Sequence, residues 1–188
     1  DGATTVVTLP QNVATGSSFT FAAWINWDGG ANWQRIFDFG NSTTHYLFLT
    51  PKSGANTLRF GIKNGGSESY IEAPALPANE WHHVAVTYDG ARVRLFVDGR
   101  RDVDAALAGS LDGSNGPLGL DPEYSGFLDE LRVWSVALSA ADIVPALHRS
   151  LVGEHAGLAA SYTFDTIAVS ELGLDTSGNN NTATRLGT

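Results

Sequence analysis

Short runs of alternating apolar and polar residues recur along the chain, separated by clusters of Gly, Asn, Asp, Ser and Pro. In Val93-Arg-Leu-Phe-Val, for example, Arg94 points away from Val93 and Leu95, as on a strand with one buried face. The pattern predicts strands at Thr4–Leu9, Phe19–Trp27, Arg35–Phe39, Tyr46–Thr50, Leu58–Lys63, Trp81–Tyr88, Val93–Val97, Phe127–Trp134 and Leu158–Phe164.

Turn and helix signals complete this picture. Asp89-Gly90 and Asp98-Gly99 flank one strand, and Asp-Gly pairs favour the positive φ angles of tight hairpin turns. One helix is predicted over Ala140–Leu147, because Ser139 can cap it and an Asp three residues later completes a capping box. A proline inside that segment limits it to a turn or two. Many short strands with almost no helix predict an all-β, antiparallel sandwich or jelly roll.

The size of the chain fits one domain. Its 188 residues suffice for one large sandwich and are short for two, so we expect a single domain over residues 1–188. The sequence has no cysteine, which excludes thiol catalysis, disulfides and cysteine-based metal sites. It starts with Asp1 and lacks methionine, and we therefore expect it to be excised from a larger, multidomain protein.

Charge narrows the choice of partners. The net charge is −9 and no Lys/Arg stripe offsets it, so a nucleic acid would be repelled and is not expected as a ligand. No run of about 18 apolar residues is present, so we expect no insertion into a membrane. The acidity fits a surface that meets calcium or neutral sugars, and equally one that is merely soluble. The Ala-rich, cysteine-free composition favours a bacterial source.

Three segments resemble laminin-G-like domains, particularly the bacterial LamG-3 type of the concanavalin A-like lectin/glucanase superfamily. Glu80-Trp-His-His-Val-Ala-Val-Thr-Tyr-Asp-Gly and the following Val93-Arg-Leu-Phe-Val-Asp-Gly resemble the central hairpin of that family. Phe127–Trp134 resembles its last long strand, and Ser18–Ile25 its first long core strand. The resemblance implies a jelly-roll sandwich with one short helical turn. It also implies calcium in many members, and roles in glycan binding, adhesion or enzyme targeting.

The C-terminal part of the chain resembles the segment that usually opens such a domain. Its two pieces are Tyr162-Thr-Phe-Asp and Asp175-Thr-Ser-Gly-Asn-Asn-Asn. These residues either close this sandwich with its strand order permuted or begin the next domain of a tandem array. We favour closure within this chain.

The same C-terminal loop is a candidate calcium site. Oxygen-bearing side chains alternate at Asp175, Ser177, Asn179 and Asn181, and calcium takes six to eight oxygen ligands. The family pattern places such a loop near the Asp of the late strand, Asp129. We therefore expect Ca²⁺ to be held by Asp129, Asp175 and oxygens around Asn180. The alternative is a polar turn, with Asp129 satisfied by backbone amides.

Aromatic residues fall into two groups. Trp24 and Trp81 lie in apolar strands, and we interpret both as core residues; Trp134 is interpreted as a packing residue. Other aromatic or imidazole side chains follow loops and polar turns, where a flat ring can stack on a sugar. The candidate ligand-binding residues are Trp33, His45, Tyr46 and Tyr124.

Enzymatic signatures are absent from the sequence. Glucanases of this superfamily place Glu-x-Asp-x-Glu on one strand, whereas the corresponding strand here reads Phe127-Leu-Asp-Glu-Leu, with one carboxylate per face. We therefore predict a non-catalytic, calcium-dependent, lectin-like glycan-binding or adhesion module. Its expected setting is a secreted or cell-surface protein, in which it is monomeric and binds a glycan or another cell-surface ligand. A structural or protein-binding module of a surface adhesin is the alternative, and a glycoside hydrolase is a remote one.

Overall fold

A computed structural model describes residues 6–10, 13, 17–40, 43–107, 118–119, 124–149, 151, 153, 155–165 and 173–186. These residues form thirteen strands and one helix. The strands are β1 (Val6–Thr8), β2 (Phe19–Trp27), β3 (Phe37–Gly40), β4 (His45–Thr50), β5 (Thr57–Asn64), β6 (Ser69–Pro74), β7 (Trp81–Tyr88), β8 (Arg92–Val97), β9 (Arg100–Ala106), β10 (Leu118–Gly119), β11 (Gly126–Trp134), β12 (Leu158–Tyr162) and β13 (Thr184–Leu186), and the helix is α1 (Ala140–Ala146).

The strands form two antiparallel sheets. The seven-stranded sheet has the order β13-β1-β10-β3-β4-β5-β6, and the six-stranded sheet has the order β12-β11-β2-β7-β8-β9. The predicted all-β sandwich is confirmed. In the seven-stranded sheet β13 pairs with β1 over three residues, so the C-terminal strand joins the N-terminal one. No helix in the described part of the chain is long and apolar enough to cross a membrane.

The core lies between the two sheets. Alternate residues of each strand point inward, as the period of two requires. On β2 these include Phe21 and Ile25, and on β4 they are Leu47 and Leu49, all at most 2% exposed. Phe21 meets Phe37 of the opposite sheet with ring centroids 3.9 Å apart. Burial of these apolar side chains is the main term that stabilises the sandwich.

Helix α1 covers part of the outer face of the six-stranded sheet. Ile143 of the helix packs with outward-facing residues of five strands, namely Ala22, Ala85, Phe96, Trp134 and Leu158. The predicted capping box is present, because the Asp142 carboxylate accepts hydrogen bonds from the Ser139 amide and hydroxyl at 3.1 and 2.6 Å. The helix is seven residues long and contains Pro145, as expected for a short helix. The outer face of the seven-stranded sheet has no such helix among the described residues.

The interpretation of Trp81 as a core residue is wrong. Trp81 is 47% exposed, because it lies at the first position of β7 on the outer face of the sheet, beyond the reach of α1. Trp24 also points outward and is only partly buried, and its indole donates a hydrogen bond to the Leu147 carbonyl at 3.0 Å. Trp134 is 4% exposed, so its interpretation as a packing residue is confirmed.

Candidate functional site

Three cross-strand rows of side chains lie on the outer face of the seven-stranded sheet. The face is opposite to the core because its residues alternate with buried ones such as Leu47 and Leu49. Residues directly paired across antiparallel strands lie side by side on one face. The rows are Thr50–Arg59–Glu72, Asp38–Phe48–Gly61–Tyr70 and Gly40–Tyr46–Lys63.

Trp33 reaches this face from the loop between β2 and β3. Its backbone has φ of +72°, a left-handed conformation that is unusual for a bulky residue and costs free energy. The Trp33 amide donates a hydrogen bond to the Lys52 carbonyl at 2.8 Å, which helps to hold this conformation. The indole is 39% exposed and lies edge-on to Phe48, with centroids 6.5 Å apart. The loop therefore presents part of an aromatic ring to solvent at the expense of backbone strain.

Two arginines lie among the aromatic rings. The guanidinium of Arg59 is 3.9 Å from the ring centroid of Tyr70 and 5.1 Å from that of Trp33. Arg35 lies over Phe48 at 3.6 Å, so this ring is 2% exposed although it faces outward. Such cation–π contacts orient both partners. Exposed aromatic surface is consequently concentrated at Trp33 and Tyr70, which is 48% exposed.

Carboxylates hold the polar groups of the face in place. Glu72 accepts hydrogen bonds from Thr57 at 2.5 Å and from Arg59 Nε at 2.9 Å. The hydrogen bond from Thr57 lowers the pKa of Glu72 most, and the hydrogen bond and charge of Arg59 lower it further. Glu72 is therefore ionised at neutral pH. Glu68 accepts a hydrogen bond from the Tyr46 hydroxyl at 2.7 Å. Burial, together with this bond and the charge of Glu68, raises the pKa of Tyr46 to about 12, so Tyr46 remains a neutral phenol.

Gly61 leaves room for the ring at the centre of the face. A Cβ atom on this residue would lie 2.7 Å from Cε1 of Phe48 and 3.2 Å from the Glu68 carboxyl carbon. Only glycine therefore allows Phe48 to lie flat across β5.

We call this set of residues the aromatic–arginine surface; it comprises Trp33, Arg35, Tyr46, Phe48, Arg59, Glu68, Tyr70 and Glu72. Its exposed rings offer flat apolar faces, and its carboxylates offer oriented acceptors beside them. Sugar rings have both an apolar C–H face and hydroxyl donors, so this combination is suited to carbohydrate binding.

The structure brings together two of the four predicted ligand-binding residues, Trp33 and Tyr46, on either side of Phe48. His45 precedes Tyr46 at the first position of β4, with Nδ1 3.0 Å from the Thr44 hydroxyl. Tyr124 lies apart from them: it packs against the core, its hydroxyl is 3.4 Å from the Phe127 carbonyl, and burial followed by the charge of Asp28 raises its pKa.

Sequence reasoning missed the other members of the surface. Phe48 lies on β4, Arg59 on β5, and Tyr70 and Glu72 on β6, and only the register of these three strands places them side by side. Their one signal in the sequence is the alternation along β5, which puts Arg59 and Gly61 on the face opposite to Leu58 and Phe60.

The predicted calcium residue Asp175 is engaged by protein donors. Its Oδ1 accepts hydrogen bonds from the amides of Ser161 and Ser177, both at 2.9 Å. Its Oδ2 accepts one from the Ser177 hydroxyl at 2.9 Å and one from the Asn181 amide at 2.8 Å. N–H and O–H groups directed at both oxygens would repel a cation. The arrangement around Asp175 therefore does not fit a calcium ion, and it matches the alternative of a polar turn.

The other two predicted calcium ligands do not complete a site in the described residues. Asp129 accepts a hydrogen bond from the Glu130 amide at 2.8 Å, and Asn180 is exposed at the tip of its turn with φ of +58°. Over the ranges that the structure describes, no group of three or more His, Cys, Asp or Glu side chains could hold a metal. Calcium binding at this loop stays a prediction, which unfolding of Asp175→Ala in calcium and in chelator tests.

A cavity lies beside α1, between the helix and Leu151, His155 and Ala156. It has a volume of about 330 Å³, and its lining includes Trp134, Leu138, Pro145 and Leu151. Trp134 is 4% exposed and packs within the protein. Among the described lining residues no Trp, Tyr or Phe ring is exposed, in contrast to the aromatic–arginine surface.

Solved structures with a similar fold include several from carbohydrate-active proteins. A Bacteroides ovatus protein whose name suggests carbohydrate binding superposes with a TM-score of 0.73 at 24% identity, over 97% of this chain and 56% of that one. The present chain thus spans about half the length of that protein. Domain 4 of the extracellular GH43 arabinanase AbnA from Geobacillus stearothermophilus, solved in complex with arabinotriose, has a TM-score of 0.64 at 19% identity, over 74% of this chain and 70% of that one.

The Ruminococcus gnavus IT-sialidase CBM40, bound to α2,3-sialyllactose, has a TM-score of 0.60 at 15% identity, over 71% of this chain and 83% of that one. At these identities the likeness establishes the fold. No curated protein matches the chain by sequence. A family model, Laminin_G_3 of the concanavalin A-like lectin/glucanases superfamily, matches residues 1–144, as the motifs in the hairpin of β7 and β8 predicted. The chain therefore belongs to the Laminin_G_3 family of the concanavalin A-like lectin/glucanase superfamily.

Proposed function

We propose that the chain is a non-catalytic glycan-binding module that uses the aromatic–arginine surface. The observation that supports this most is the exposure of Trp33 and Tyr70 next to the Arg59 guanidinium, beside the oriented carboxylate of Glu72. Aromatic faces stack on the C–H surface of a sugar, and the carboxylate accepts hydrogen bonds from its hydroxyl groups. Structures of similar fold are named for binding carbohydrate or were solved with it, which supports the same ligand class.

The module serves attachment rather than chemistry in this proposal. The late strand β11 offers Asp129 and Glu130, and Glu130 pairs with the Arg132 guanidinium. A glycan-binding module of this kind acts as part of a secreted or cell-surface protein, in which it is a monomeric unit. Binding at one small surface is weak, and repetition along a longer chain raises the overall avidity.

A glycan array tests the proposal. The wild-type protein is expected to bind a coherent set of oligosaccharides, and Trp33→Ala is expected to weaken binding about tenfold or more by removing one stacking face, equivalent to ~1.4 kcal/mol. Trp81→Ala is the matched control, because Trp81 is comparably exposed but lies on the opposite sheet. Absence of binding by the folded wild-type protein would contradict the proposal.

A second candidate function has one observation in its favour. Phe127 of β11 and Trp81 of β7 flank Asn26 in one cross-strand row on the outer face of the six-stranded sheet. Phe127 is 65% exposed and Trp81 is 47% exposed, and exposed aromatic pairs of this kind occur in protein interfaces. This pair favours a protein-binding module of a surface adhesin. Failure of the folded wild-type protein to bind any glycan on the array would favour that alternative.

A further inference from the structure

On the aromatic–arginine surface and at its neighbours Asp38 and Lys63, almost every positively charged side chain lies close to a negatively charged one. We infer that the surface selects uncharged glycans and discriminates against glycans that end in a carboxylate sugar, such as sialic acid or a uronic acid. The inference rests on the function proposed above and concerns the same site.

Arg59, at the centre of the surface, is already committed to carboxylates. Its Nε and Nη2 atoms are both 2.9 Å from Oε1 of Glu72, and its Nη1 is 3.6 Å from Glu68. Tyr70 and Trp33 lie against the guanidinium plane. A ligand carboxylate could take the usual bidentate pair with Arg59 only by displacing Glu72. Glu72 also accepts hydrogen bonds from the Thr57 and Ser53 hydroxyls, so three residues hold its carboxylate in place.

The remaining cations offer little to an anion. Arg35 has its Nε 3.4 Å from Asp38 and its guanidinium over Phe48, where only 20% of the side chain is exposed. Lys63 lies 5.8 Å from the ring centroid of Tyr46 and has no carboxylate within salt-bridge distance in the described residues. One solvated lysine at the edge of the surface attracts an anionic glycan only weakly, because solvent and salt screen its charge.

The acceptors on the surface point to the opposite kind of ligand. The side chains of Glu68 and Glu72 remain 24% and 27% exposed, so both acceptors are partly accessible to a ligand. Sugar hydroxyls can donate charge-assisted hydrogen bonds to such oxygens, whereas a ligand carboxylate would meet like charge. The net charge of −9 on the whole chain adds a repulsion of the same sign at longer range.

Matched pairs of glycans test this selectivity. Each pair consists of one neutral oligosaccharide and the same oligosaccharide with a terminal sialic acid or uronic acid, and affinities are measured by calorimetry at 50 and 500 mM NaCl. The neutral member is expected to bind at least tenfold more tightly, with an affinity that changes less than twofold between the two salt concentrations. Tighter binding of the acidic member, weakened by salt, overturns the inference and leaves the proposed function intact. No binding of either member by the folded protein overturns both.

A charge variant gives an independent readout. Glu72→Gln removes the main partner of Arg59, so it is expected to weaken neutral binding and to raise the affinity for the acidic member several-fold. Glu80→Gln is the matched control, since Glu80 is exposed and lies near His82, away from this surface. Glu68→Gln repeats the test if Glu72→Gln does not fold. An unchanged ratio of acidic to neutral affinity in a folded variant overturns the inference.

Discussion

The burial of His83 makes the stability of the fold depend on pH. His83 is 4% exposed on the outer face of the six-stranded sheet, edge-on to Trp24 with centroids 5.6 Å apart. Burial, followed by the positive charge of Arg132, lowers its pKa to about 3, with His148 acting in the same direction and Asp98 opposing them. Protonation of His83 in the folded state would place a second cation beside Arg132 in a poorly solvated position.

The size of the effect follows from the difference between the two states. The unfolded chain takes up a proton on His83 near its ordinary pKa of 6.5, whereas the folded protein does so only near 3. Between these values the unfolded state binds more protons, so the free energy of unfolding falls as the pH falls through this window, and it is unaffected above it. At pH 5, which is 1.5 units below 6.5, the loss is about 2 kcal/mol at ~1.36 kcal/mol per unit.

Denaturant unfolding at pH 7.5, 6 and 5 measures this loss. The wild-type protein is expected to lose about 2 kcal/mol more than His83→Gln between pH 7.5 and 5, because other titrating groups contribute equally to both. His155→Gln is the control for an exposed histidine and should follow the wild type. The imidazole resonances of His83, followed by NMR, should remain those of the neutral ring at pH 5. Parallel pH profiles for wild type and His83→Gln, or an NMR midpoint near 6.5, would refute the argument.

Three further substitutions test other parts of the structure. Asp175→Ala removes four hydrogen bonds and is expected to lower the free energy of unfolding by about 3 kcal/mol, equally in calcium and in chelator; a loss confined to calcium buffer would instead establish the predicted Ca²⁺ site. Gly61→Ala should displace the Phe48 ring and weaken glycan binding about tenfold with an unchanged circular dichroism spectrum, and wild-type affinity would argue against this ring's role. Arg132→Met removes two hydrogen bonds to carbonyls at the end of α1 and should cost about 3 kcal/mol in denaturant unfolding, whereas an unshifted midpoint would contradict it.

Strands that alternate strongly were predictable from the sequence, and most edge strands were not. The bounds predicted for Phe19–Trp27 and Trp81–Tyr88 are those of β2 and β7, which lie inside the six-stranded sheet and bury apolar side chains. The missed strands β6, β9 and β13 each form the edge of a sheet, and the missed strand β10, inside its sheet, has only two residues. Edge strands bury less and are often charged, as Arg100-Arg-Asp-Val-Asp illustrates, so their apolar alternation is weak.

Tryptophans show why composition alone does not locate a binding surface. Trp81 was interpreted as core because its neighbours are apolar, yet the outer face of β7 is covered by α1 only farther along the strand. Trp33 was predicted to be available because it lies in a polar loop, and its ring is indeed partly exposed. The neighbours that turn this ring into part of a surface, Arg59 and Tyr70, come from strands whose pairing is a long-range property.

The loop at Asp175 shows how one sequence pattern can suit either a bound cation or a set of hydrogen-bond donors. Alternating oxygen side chains are needed to surround a cation, and they are also needed to accept hydrogen bonds from a tightly turned backbone. Here the turn places the amides of Ser177 and Asn181, together with the Ser161 amide of β12, around one buried carboxylate. Because these donors occupy both oxygens, the carboxylate can fasten the C-terminal loop to β12 without a metal. The loop then positions β13 beside β1, which closes the seven-stranded sheet on the side away from the aromatic–arginine surface.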